Sequence, residues 1–151
     1  MEQDTIKNFT ARISQANRSE LIVILYDIAI QDIREAMETS CMRTIEHASK
    51  CVNELIVSLD YSYEISFELL RLYRYVNERL LRAKSSKESD LLVDALEVMQ
   101  ELRVSFVEVA KQDTSDPVMR NTEQVYAGLT YSRGVLNEAR LYTTGERGFR
   151  A

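Results

Sequence analysis

The chain has 151 residues, 45% of them apolar, enough for one sizeable core and too few for two. Four glycines, one proline, no tryptophan and 28% charged residues weigh against a turn-rich β sandwich and favour an all-α fold. A net charge of −5 with a pI near 5.0, and no Lys/Arg cluster, leaves no electrostatic footprint for nucleic acid.

In chain order, the opening MEQDTIKNF carries early acids and no apolar core segment, so it does not read as a secretion signal. Residues 1–18 show no clean period but set Ile6, Phe9 and Ile13 among polar residues, which predicts an N-terminal strap. The first helix is expected over about residues 19–39, with Ser19 as N-cap and Glu20 in the first turn. Its longest apolar run, residues 21–26, is far short of the roughly 18–20 residues a membrane span needs, so no membrane insertion is expected and the protein is placed in the cytoplasm. The second helix is predicted over about 41–59, with Ile45, Ala48, Val52, Leu55 and Leu59 spaced three and four apart. The third, over about 63–84, keeps the same rhythm in Ile65, Leu69, Leu72, Val76, Leu80 and Ala83. The fourth, over about 89–112 with Ser89 as cap, repeats it in Leu92, Ala95, Met99, Leu102, Phe106 and Val109. Links of a few residues between such helices predict an antiparallel up-down-up-down four-helix bundle over residues 19–112. All four glycines and the proline fall after Asp113, which marks off a long C-terminal extension, 113–151, with a short helix expected over about 133–142.

Catalytic readings fail by inventory. A di-iron bundle needs Glu-x-x-His on two helices, whereas the single histidine, His47, is preceded at that spacing by Thr44. The neighbours of His47, Glu46 and Ala48, offer no sign of a nucleophile triad, and GxGxxG, P-loop and CxxC patterns are absent. No catalytic residue, metal ligand or cofactor is assigned, and the protein is not expected to be an enzyme. Cys41 and Cys51, about 15 Å apart along one expected helix, cannot form a disulfide and read as buried thiols of a reducing compartment.

The first helix is too apolar for one partner. On a wheel its polar side holds Asp27, Gln31, Arg34, Glu35 and Glu38, leaving an apolar arc of roughly 220° where a bundle helix needs about 100° or somewhat more. Ile22, Leu25, Ala29 and Ala36 suit the core, and Val23, Tyr26, Ile30, Ile33 and Met37 remain as a second stripe. The third helix adds Phe67, Leu70 and Leu81 off its core stripe, and the fourth adds Val93, Leu96, Val104 and Val107. Bare, these stripes would form a patch of the kind that marks an interaction site. Their cover is the chain's own termini, a second copy in a homodimer, or an amphipathic client segment laid in a groove.

QANRSELIVILYDIAI resembles the first-helix signature of the FliS family of flagellar export chaperones. ELIVSLDYSYEISFELLRLYRYVNERLLRA and ALEVMQELRVSFVEV are similar to that family's later helices, so the resemblance covers about residues 9–111. It implies an antiparallel helical bundle that binds the disordered C-terminal segment of flagellin in the cytoplasm, blocks premature polymerisation and presents the subunit to components of the flagellar type III export gate. By the same resemblance, the client surface would be Val23, Tyr26, Ile30, Ile33 and Met37 with Phe67, Leu70 and Leu81, and Ile6, Phe9 and Ile13 would strap over the groove. The alternative is a FliS-like homo-oligomeric bundle, or an adaptor with a different client.

Overall fold

A computed structural model of the chain describes residues 2–86 and 88–119. Five helices run along them, α1 (Glu2–Gln15), α2 (Arg18–Thr39), α3 (Met42–Val57), α4 (Ile65–Ser86) and α5 (Ser89–Gln112), and the described residues contain no strand. The described residues divide into two compact units, one of Arg18–Ser115 and the other of residues 2–17 with 116–119. The short helix expected over 133–142 lies outside the described residues.

In the second of these units, residues read as an aperiodic strap form α1. The spacing of three and four between Ile6, Phe9 and Ile13 puts them on one helical face. Arg12 adds a guanidinium 5.7 Å from the Phe9 ring centre, and the Val118 amide donates to the Ala16 carbonyl at 3.0 Å.

In the larger unit α2 packs against α3 and α5, and α4 packs against the same two, so each helix has two neighbours in a closed ring. Cross-helix pairs fix the register. Ser19 meets Asp113 and Asp27 meets Arg103, in opposite order along α2 and α5. Glu46 meets Lys84 and Ser49 meets Asn77, likewise in opposite order along α3 and α4. The Asn77 amide is used at both ends, accepting from Ser49 and donating to Asn53 at 2.8 Å.

Chain breaks between the helices have local causes. Ser40, at φ 54, ends α2 in the left-handed region while its amide donates back to the Ala36 carbonyl. The helix expected to run through residue 59 stops at Val57, because the Asp60 carboxylate takes both the amide and the hydroxyl of Ser62 and holds a turn. The two serines expected as caps do other work. Ser19 lies inside the first turn of α2 and donates to Asp113 at 2.5 Å, and Ser89 is the first residue of α5, after an N-cap at Glu88.

The core gathers Tyr26, Ala29, Ile33 and Ala36 from α2, Ala48, Val52 and Leu55 from α3, Tyr73, Val76 and Leu80 from α4, and Leu92, Ala95 and Met99 from α5. Along α4 the inward positions are Ser66, Leu69, Tyr73, Val76, Leu80 and Ala83, alternating three and four. That stripe corrects the expected one at its N-terminal end, where Ile65 is 61% exposed and Leu72 also faces outward. Ser66 takes the inward place because its hydroxyl donates to the Asp60 carbonyl at 2.5 Å, which satisfies a buried polar group. On α5, Val109 is likewise exposed where a core residue was expected.

Tyr26 is fully buried, and its hydroxyl lies 2.5 Å from that of Tyr73, also buried. Removing either oxygen strands the other, at a cost of about 1–3 kcal/mol. Tyr26→Phe and Tyr73→Phe are each expected to lower urea-unfolding stability by that amount, and the double variant by less than their sum, as a double-mutant cycle will read. The Asp113 carboxylate accepts from the Ser115 hydroxyl and amide and from Ser19, which hold its pKa down from 3.8 to about 2. A depressed folded value stabilises fully above the unfolded value and is lost as pH falls through the folded one. Part of the fall in unfolding midpoint between about pH 4 and pH 2 is therefore expected to vanish in Asp113→Asn.

Candidate protein-binding surface

The second stripe of α2 does not lie on the surface. Tyr26 and Ile33 are fully buried, Ile30 is buried with them in the core cluster, and Val23 is buried as well. Ile22 and Leu25, expected inward, are only partly buried. The reason is the ring of neighbours: α2 packs on α3 and on α5, so its inward arc is wide enough to take both stripes. The Tyr26 ring sits 5.3 Å from Phe106 of α5 and 6.3 Å from Tyr73 of α4, and the hydroxyl pair pins that rotation of the helix. Only Met37, at the end of α2, keeps the exposed place expected of the stripe.

The stripe expected on the third helix is outside. Phe67 is half exposed, Leu81 is 67% exposed and Leu70 is partly buried. Their spacing, with Arg74 and Glu78 between, places them along one outer face of α4. The approach to α4 adds Val57, Tyr61 and Tyr63, which the spacing did not single out, and Ile65, which was expected in the core; all four are exposed, and the Tyr61 and Phe67 rings lie 5.4 Å apart. The available signal was the density of aromatic and branched residues around Asp60, in a link where polar residues are the norm. Farther along α4, the Arg79 guanidinium covers the exposed Tyr75 ring at 4.8 Å. At the other end of the bundle Met37, Met42, Ile45, Ala83 and Leu92 line a small cavity of ≈ 30 Å³. On α5, Val104 is exposed, whereas Val93, Leu96 and Val107 are partly buried.

The titratable groups divide into core and surface. Burial raises the Tyr26 and Tyr73 phenols and pushes the Cys51 thiol up to about 12. Cys41 is not buried as expected. It is the exposed N-cap of α3, and hydrogen bonds from Thr44 lower its thiol pKa. His47, for which its chain neighbours suggested no partner, meets Asp32 of α2 with Nδ1 and Oδ2 2.5 Å apart. Cys51 lies beside this pair, so three side chains of metal-ligand type converge where the sequence inventory assigned none.

The described residues thus form an all-helical bundle with a packed interior and apolar side chains along one outer helix face. A model of the family described as flagellar protein FliS matches residues 1–113, the whole span from α1 to α5. The chain belongs to the FliS family, whose members are flagellar export chaperones and not enzymes. A comparison with curated proteins finds no match. No helix among the described residues is long and apolar enough to cross a membrane.

The two thiols are expected to separate in a timed reaction with a disulfide reagent. Cys41 reacts at once in the native protein, and Cys51 only as fast as the bundle unfolds, so Cys51→Ala leaves the fast phase intact.

Proposed function

We propose that this protein is a cytoplasmic export chaperone that captures the disordered C-terminal segment of flagellin, prevents its premature polymerisation and delivers it to the flagellar type III export apparatus. The observation that carries the reading is the coincidence of FliS family membership with an apolar outer face on α4. In this reading residues 18–112 form an up-down-up-down bundle, the client lies as an amphipathic helix along Phe67, Leu70 and Leu81, and Met37 extends the contact. The helical face of Ile6, Phe9 and Ile13 straps the groove until the client displaces it.

Magnitudes support a surface of this size. Ordering a disordered segment costs about 2–5 kcal/mol or more, and fully burying one large apolar side chain returns about 1.5–3 kcal/mol. Phe67 and Leu81 are already partly buried, so covering what remains exposed returns about 2–3.5 kcal/mol together, the lower part of the ordering cost, and Leu70, Met37 and the aromatic residues before α4 must supply the rest.

The test is calorimetric titration of the full chain with a peptide spanning the C-terminal helical segment of flagellin. One-to-one binding with a negative heat-capacity change is expected. Phe67→Asp and Leu81→Asp are each expected to weaken it by about tenfold or more while the helical circular dichroism stays that of the parent. No binding, together with a concentration-dependent dimer in sedimentation, would assign the same face to a second copy of the chain.

A further inference from the structure

Asp32 on α2 and His47 and Cys51 on α3 lie on helices other than α4, whose outer face carries Phe67, Leu70 and Leu81. His47 and Cys51 are four residues apart, one above the other on α3, and Asp32 faces them from the neighbouring helix. One ligand atom from each lies within 4.8 Å of the others. We propose that these three side chains form a binding site for a zinc-class divalent cation, clipping α2 to α3 and leaving a fourth position for water.

The chemistry of the set selects the ion. A thiolate, an imidazole and a carboxylate suit zinc and its d-block neighbours, whereas calcium and magnesium take oxygen ligands. Charge balances as well: one carboxylate, one thiolate and a neutral imidazole cancel a double positive charge, which a partly buried site requires. Glu35 beside Asp32 and Glu54 beside Cys51 add negative potential on both sides.

The geometry needs small movements. With bonds of about 2.0–2.3 Å, tetrahedral ligand atoms stand roughly 3.3–3.7 Å apart. The 2.5 Å contact between His47 Nδ1 and Asp32 Oδ2 must therefore open by about 0.8 Å, and the widest separation must close by about 1 Å. The mobile partner is the right one. The His47 side chain is 60% exposed, with solvent rather than packing around most of its ring, whereas Asp32 is 15% exposed and Cys51 is buried. Burial raises the Asp32 carboxyl, and His47 acts against that rise. Binding releases the Cys51 thiol proton to solvent, so affinity is expected to rise with pH through the neutral range.

The test uses the full chain, freed of metal with a chelator and titrated with Zn2+ by calorimetry and with Co2+ by absorption. One ion per chain is expected, with a thiolate-to-cobalt charge-transfer band. Because His47 is the single histidine, its imidazole nitrogen resonances need no assignment and are expected to shift on Zn2+ addition. Cys51→Ala and His47→Ala are each expected to weaken binding by about tenfold or more, with the band lost in Cys51→Ala and kept in Cys41→Ser. Circular dichroism checks that each variant is folded. No binding at stoichiometric ion, or binding that survives the double variant, overturns the site. Neither result bears on flagellin binding, which is measured without metal.

Discussion

Tyr26 carries a ring and a hydroxyl into the middle of four helices, and the orientation of α2 follows from where both must go. The ring lies against Phe106 of α5 and near Tyr73 of α4, and the hydroxyl has the Tyr73 hydroxyl beside it. Rotating α2 by one residue, about 100°, would break the hydroxyl pair and move the ring from between α4 and α5. The rest of the helix follows that choice. Ile30 and Ile33 go inward with Tyr26, and Asp27 is left at the margin, where Arg103 pairs with it.

Polar pairs then set the axial register that apolar packing leaves soft. Ser19 with Asp113 and Asp27 with Arg103 define α2 against α5, and the Asn77 amide with Ser49 and Asn53 defines α3 against α4. Such contacts are worth about 0.5–1.5 kcal/mol each, far less than the core, but each tolerates only one alignment. The core supplies stability and the margin supplies uniqueness.

The fold class and the sites of four helices were legible because period is strong in long segments with few glycines. The orientation of α2 was not. Its two stripes are equally apolar, so periodicity reports that both need cover without saying which side provides it. That answer lies with Tyr73 and Phe106, tens of residues away. On α4 the inward stripe began at Ser66, a polar residue whose hydrogen-bond partner, the Asp60 carbonyl, no spacing rule reveals. Phe67, Leu70 and Leu81 were legible as a second stripe because that helix's core positions are filled by other residues at strict three-four spacing. Asp32 and His47 are 15 positions apart across a helix connection, a separation without meaning until the register of α2 on α3 is known.

The pairing of α2 with α5 also bears on how the chain is made. Its register contacts join residues 76 and 94 positions apart, the first helix of the bundle with the last. A ribosome adding about 5–20 residues per second needs roughly 4–15 s to carry the chain from Asp27 to Arg103. Through that interval α2 lacks α5, with α3 beside it only once residues 42–57 have been made, and the Tyr26 ring has neither Phe106 nor its full enclosure. The nascent chain of this chaperone family member therefore passes through a stage in which one of its own apolar helices stands without its full cover.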